Sequence, residues 1–190
     1  MSTVVVRRWT RQQYDRMVET GIFAPGERVE LIDGEVVTMT PQGSGHATAV
    51  RLTEDALRAA FGSGHDVRVQ MPLALDPVSE PEPDVAVVLG SPRDYRKAHP
   101  ASALLVVEVA DTTLLYDREQ KGSLYARAGV PEYWVLNLLD GRLEVYREPA
   151  PMPAVRYGWA YQETRSCGPT DNISPLHARQ ASVGIADLLP

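Results

Sequence analysis

Leu104-Leu105-Val106-Val107-Glu108-Val109-Ala110 is a strand-length apolar run with a carboxylate near its centre. The run is nearly continuous rather than alternating, which marks a strand buried on both faces. Alternation places Glu108 on one face with Leu104, Val106 and Ala110. An acid there is costly unless it is paired or binds a cation. Upstream, Asp84 to Leu89 reads as a second short apolar strand, opened by Asp84 just after a loop containing Pro77, Pro81 and Pro83. Downstream, Asp117 to Ala128 predicts a helix, with Gly129 at its C′ position and Pro131 beyond.

The remaining elements follow from local signals. Thr10 with Gln13 forms a capping box for a helix striped by Tyr14, Met17 and Val18 and ending at Gly21. Arg28 to Ile32 and Glu35 to Met39 flank Asp33-Gly34, a two-residue hairpin signal. His46 to Phe61 predicts a helix, with Val50, Leu57 and Phe61 on one face. Val67 to Leu75 alternates and predicts a half-buried strand carrying Gln70. Gly90 to Pro100 predicts a polar loop. Glu132 to Leu138 and Arg142 to Arg147 predict a hairpin around Asp140-Gly141. Pro149, Pro151 and Pro153 predict a break, Tyr157 to Thr164 an edge strand, and Ile185 to Leu189 a segment packed back on the body. The expected fold class is α/β in the mixed (α+β) sense, with helices against a central mixed sheet.

At 190 residues, 44% hydrophobic and 23% charged, the expectation is one domain with one sizeable core. No stretch approaches about 18 uninterrupted apolar residues, so no membrane span is expected. The N-terminal run Val4–Val6 is too short and precedes its arginines, so a cytoplasmic location is expected. One cysteine, Cys167, excludes an intrachain disulfide and a cysteine-based zinc cluster. A net charge of −6 argues against a dedicated DNA-binding module but not against a nuclease. Basic residues do cluster, at Arg7, Arg8 and Arg11 and again at Arg93, Arg96 and Lys97. The chain has 17 Arg and only 2 Lys, Lys97 and Lys121. A lysine retained against that preference marks a place where a compact ammonium is needed.

Glu30, inside Val29-Glu30-Leu31-Ile32, is a third acid in an apolar strand. Glu30, Asp84 and Glu108 together suggest a hard-cation site, of the kind Mg²⁺ occupies with one or two carboxylates and several waters. The plainer alternative pairs each acid with one of the many arginines. Lys121 shares a helical face with Leu124, Tyr125 and Ala128, an apolar stripe that should dock on the sheet. There it needs an anionic partner, and Glu108 is the natural one; the alternative is snorkelling to solvent.

These residues resemble the Uma2 family, which is grouped with the PD-(D/E)XK, restriction-endonuclease-like fold. The resemblance lies in Arg28 to Val37, Glu82-Pro83-Asp84-Val85, Val106-Val107-Glu108-Val109, Asp117 to Ala126, and Gly129 to Trp134. It covers roughly residues 10–147, with 148–190 as a C-terminal extension. It implies a metal-dependent phosphodiesterase core in which Asp84 and Glu108 match the Asp and (D/E) of the motif. Ala110 stands where the motif lysine is usual, and Lys121 matches the lysine that Uma2-like members carry on the following helix. Glu30 matches an upstream acid that helps to hold metal. His46 and Gln70 border the implied site, although a helix cap and an exposed strand residue are their plainer roles.

The implied activity is a Mg²⁺-dependent endonuclease, with Mn²⁺ as a substitute, acting on nucleic acid, chiefly DNA, and leaving a 5′-phosphate. Asp84, Glu108 and Glu30 would hold metal, and Lys121 would position the attacking water. Two other functions fit the sequence: an inert member that binds nucleic acid or protein, and a small-molecule phosphodiesterase. A homodimer is one expected assembly, with Tyr157-Trp159-Tyr161 as its edge; ordinary sheet packing is the other use of those aromatics.

Overall fold

The structure, a computed structural model, describes residues 6–190, so most of the Val4–Val6 run lies outside the described residues. Among the described residues ten strands and four α-helices follow one another. Helix α1 (Arg11–Glu19) opens with the expected capping box: the Thr10 hydroxyl accepts from the Gln13 amide at 3.3 Å, and the Gln13 side chain accepts from the Thr10 amide at 3.0 Å. Strands β1 (Val29–Ile32) and β2 (Glu35–Thr38) form the first hairpin. Asp33 and Gly34 both have positive φ, 48° and 80°, as a tight hairpin turn of this hand requires.

Helix α2 (Ser44–Phe61) leads into β3 (His65–Val69), β4 (Val85–Leu89) and β5 (Leu105–Ala110). After a short 3₁₀ turn at Pro92–Tyr95 and strand β5 comes a helical crossover. It consists of α3 (Leu114–Tyr116), a π-helical stretch (Asp117–Lys121) and α4 (Gly122–Arg127). Then come β6 (Glu132–Asn137), β7 (Arg142–Pro151) and β8 (Trp159–Cys167), and finally the two-residue strands β9 (Asn172–Ile173) and β10 (Val183–Gly184).

Strands β3 to β8 make a six-stranded mixed sheet in sequential order, antiparallel except for β5–β6. The hairpin β1–β2 stands apart from it. One face of the sheet packs on α2 and the C-terminal tail through Val85, Val107, Val109, Leu57, Ile185 and Leu188. The other packs on α4 through Ala86, Val106, Ala110, Tyr125, Ala126 and Tyr133. Glu108 belongs to this second face.

Three local expectations are corrected. The strand expected from Val67 to Leu75 ends at Val69. Gln70 takes a left-handed φ of 51°, Pro72 lacks an N–H, and the amides of Leu73 and Ala74 bond to the carbonyls of Pro81 and Pro100 instead. The expected break at Pro149–Pro153 falls partly within β7, which runs to Pro151. Beyond Arg147 that strand is paired only with β8, so prolines at its free edge cost no ladder bond. The helix expected from Asp117 starts earlier, at Leu114, and contains a π turn. The aromatics of β8 turn inward: Tyr161 donates to the Val130 carbonyl at 2.9 Å and stacks on Tyr133. Among the described residues no helix is long and apolar enough to cross a membrane.

Candidate active site

Where the β4–β5 ladder ends, Asp84, which the structure places just before β4 rather than at its first position, meets Glu108 of β5. Val85 pairs with Val107, so the same antiparallel register sets Asp84 opposite Glu108. The strands part there, and the acids take over the backbone groups that the ladder no longer serves. The Val109 amide donates to Asp84 Oδ2 at 2.9 Å, and the Asp84 amide donates to Glu108 Oε2 at 3.3 Å. Each carboxylate is thereby fixed by the other strand's backbone.

The remaining oxygens face polar partners. Asp84 Oδ1 is 3.1 Å from His46 Nε2, at the start of α2, and accepts from Gln70 Nε2 at 3.2 Å and Gln42 Nε2 at 3.4 Å. The left-handed turn at Gln70 aims that side chain inward, and its Oε1 accepts from Arg28 at 3.3 Å. Glu108 Oε1 accepts from Lys121 Nζ at 3.0 Å and from the Tyr125 hydroxyl at 2.7 Å. Lys121 Nζ also lies 3.3 Å from Glu30 Oε1, while Glu30 Oε2 accepts from the Glu82 amide at 3.1 Å. One ammonium thus bridges β5 and the separate hairpin. No arginine pairs with Glu30, Asp84 or Glu108 among the described residues.

The π turn explains how Lys121 arrives. Its wider i→i+5 bond, from the Gly122 amide to the Asp117 carbonyl, lets both Asp117 and Lys121 be buried under the helix. The Thr113 hydroxyl holds the Asp117 carboxylate at 2.6 Å, and the Tyr133 hydroxyl donates to the Asp117 carbonyl at 3.0 Å.

Glu30, Gln42, His46, Asp84, Glu108, Asp117 and Lys121 line one cavity of about 420 Å³, with Gln70 and Tyr125 supporting it from behind. Six carboxylates, of Glu30, Glu82, Asp84, Glu108, Asp111 and Asp117, share it with the Lys121 ammonium, the Arg28 guanidinium and the His46 imidazole. Burial, then the neighbouring carboxylates, push Glu108 and Asp117 upward against the pull of Lys121. Burial opposes ionisation of Asp84, but the His46 hydrogen bond and charge and the Val109 amide outweigh it and hold that carboxyl below its usual range. Burial disfavours charge on Lys121, but Glu108, Glu30 and Asp117 outweigh it and keep the ammonium protonated. His46 is raised in the same way, with Asp84 overcoming burial.

All six residues singled out in the sequence, Glu30, His46, Gln70, Asp84, Glu108 and Lys121, therefore meet at one place. Sequence reasoning missed Asp117, Tyr125, Gln42 and Glu82. Asp117 had a signal, since it lies four residues before Lys121. Tyr125 was visible only as part of the apolar stripe. Gln42 and Glu82 come from loops that carry no periodicity.

A family model, Uma2, described as "Putative restriction endonuclease", matches residues 11–182. Among solved structures the chain is similar to a crystal structure of "a putative nuclease belonging to DUF820" from Anabaena variabilis. That alignment has 15% identity and a TM-score of 0.65, and covers 90% of this chain and 96% of that one. At that identity the likeness shows a shared fold. No curated protein matches the chain.

Proposed function

The chain belongs to the Uma2 family, and from that premise we propose that it is a metal-dependent endonuclease acting on DNA. The observation that carries the proposal is the opposition of Asp84 and Glu108 at a split in the sheet, with Lys121 against Glu108.

The donor set supports a hard divalent cation. Among the described residues no three His, Cys, Asp or Glu cluster closely enough to hold an ion unaided. Mg²⁺ does not need them to, since it takes one or two carboxylates and keeps several waters. The carboxylates also outnumber the cations in the cavity, and a divalent ion would relieve the carboxylate repulsion that adds to burial in raising Glu108 and Asp117. Asp84 and Glu108 would hold it, with Glu30 beside them, and Mn²⁺ would substitute. When bound, such an ion supplies a Lewis acid for the phosphate and lowers the pKa of a coordinated water.

The chain's own residues do the rest. The Lys121 ammonium has three donors; Glu108 accepts one and Glu30 lies 3.3 Å away as an ion pair, which leaves a donor for an attacking water or a phosphoryl oxygen. The Tyr125 hydroxyl and the Asp84 amide fix Glu108 from opposite oxygens. His46, Gln70 and the Val109 amide fix Asp84.

The test is plasmid cleavage with Mg²⁺ or Mn²⁺ by the wild type and by Asp84→Asn, Glu108→Gln and Lys121→Met. Each variant is expected to lose activity by about 100-fold or more while keeping its circular dichroism spectrum. Folded variants that cut at wild-type speed would overturn the site. Hydrolysis of short nucleotides but not of plasmid would point to a small-molecule phosphodiesterase. DNA binding without cleavage under any divalent ion would point to an inert binding module.

A further inference from the structure

Arg68, on β3, is a charged residue that the candidate site does not use. It is only 7% exposed. Its Nη1 meets Asp66 Oδ2 at 3.5 Å, its Nε is buried without a partner, and its Nη2 makes no hydrogen bond among the described residues. A guanidinium so weakly served is costly to bury, unless a ligand completes it.

Arg68 lines a cavity of about 400 Å³ with Tyr95 and His99, and its guanidinium lies 5.4 Å from the Tyr95 ring centre. Burial, then the Arg68 charge, lowers His99, leaving a neutral imidazole able to donate one hydrogen bond. Tyr95 and His99 also line the adjoining depression of about 780 Å³, whose wall includes Arg96, Lys97 and Glu82. Glu82 in turn lines the candidate active site. The three concavities thus lie side by side, Glu82 between the first two and Tyr95 and His99 between the second and third. Arg96 and Lys97 are exposed and form no ion pair among the described residues. The acids of the depression, Asp15, Glu19, Glu80 and Glu82, come from α1 and the segment before β4. Its cations without an ion pair among the described residues, Arg96 and Lys97, sit on the 91–100 loop.

We propose that this loop and Arg68 form a phosphate track that holds a polynucleotide strand leaving the candidate site, with the Arg68 cavity seating one backbone phosphate. The substrate class rests on the nuclease function proposed above. The phosphate contacts do not depend on cleavage.

Fluorescence anisotropy in EDTA tests it, using a labelled single strand of about 20 nucleotides and a labelled dinucleotide as the short-ligand control. Arg68→Gln is expected to weaken the long strand about tenfold and to reduce the slope of log affinity against log salt by about 0.7. The exposed pair Arg96→Ser/Lys97→Ser is expected to reduce it by about 1.4, two contacts' worth. Dinucleotide binding should not change. The double variant carries the test alone if Arg68→Gln fails to fold.

Unchanged affinity and slope in both variants would overturn the track. So would an Arg68→Gln effect confined to inorganic phosphate, which would make the cavity a free-anion site. A wild type that binds through Arg68 yet never cuts would uphold the track and remove the nuclease function. A wild type that cuts plasmid while both variants bind normally would do the reverse.

Discussion

Lys121 gathers acids from two elements that share no strand ladder. It is buried and is the only lysine or arginine paired with Glu30 or Glu108 among the described residues. The scarcity of lysine in the sequence marked the position, where a compact ammonium sits 3.0 and 3.3 Å from two buried carboxylates. A second buried acid, Glu80, lies outside this cavity and has a different consequence. Burial, then the charge of Asp15, raise it from 4.5 to about 7, against the pull of Arg11. A folded-state pKa above the unfolded one means that the native state holds the extra proton between those values. That contribution is complete below about pH 4.5 and is lost as pH rises through about 7. Urea midpoints measured from pH 5 to 8 should therefore show stability falling, by on the order of 2 kcal/mol. Glu80→Gln should reduce that fall, leaving the part due to Glu108 and Asp117, which are raised in the same direction. An equal fall in the variant would assign the slope to other groups.

The hairpin β1–β2 supplies Glu30 without belonging to the six-stranded sheet. It is held by backbone bonds of Leu31 to Glu80 and of Gly34 to Val78, and by Arg127. Arg127 reaches Asp33 at 2.7 Å and Asp76 at 3.0 Å, so one side chain of α4 ties the hairpin turn to the segment before β4. Arg127→Met is expected to speed amide exchange in Val29–Ile32 several-fold while the β4–β5 amides stay protected. Hydrogen-exchange mass spectrometry checks this, and uniform loss of protection would mean that the hairpin unfolds only with the whole. At this scale the sequence was informative wherever one residue type dictates backbone shape. The Asp33-Gly34 turn, the Thr10 cap and the β5 apolar run were all legible. The π turn was not, because its i→i+5 bond leaves the composition of a helix unchanged. The left-handed Gln70 was not legible either, since alternation carried straight through it.

Among the described residues two large cores lie on the two faces of one sheet, with a small third cluster of Tyr14, Val29 and Leu31 at the hairpin, and the C-terminal tail completes the first of them. Ile185 and Leu188 are fully buried beside Val107 and Val109. Ile185→Ala should cost about 2–5 kcal/mol, a large share of the roughly 5–15 kcal/mol that holds a domain folded. Chemical denaturation measures it, and a loss well under 1 kcal/mol would mean the tail is only loosely docked. The inward fold of Ile185 to Leu189 was legible from its apolar residues, but β9 and β10, two residues each, are too short to leave a pattern. The one parallel junction, β5–β6, has a separate consequence. A parallel neighbour obliges the chain to travel over the sheet before returning, and the first steps of that journey, Asp111, Thr112 and Thr113, form part of the cavity rim. Residues inserted there would leave every strand beside its present neighbours, so the aperture can widen or narrow across a lineage while the scaffold beneath it stands still.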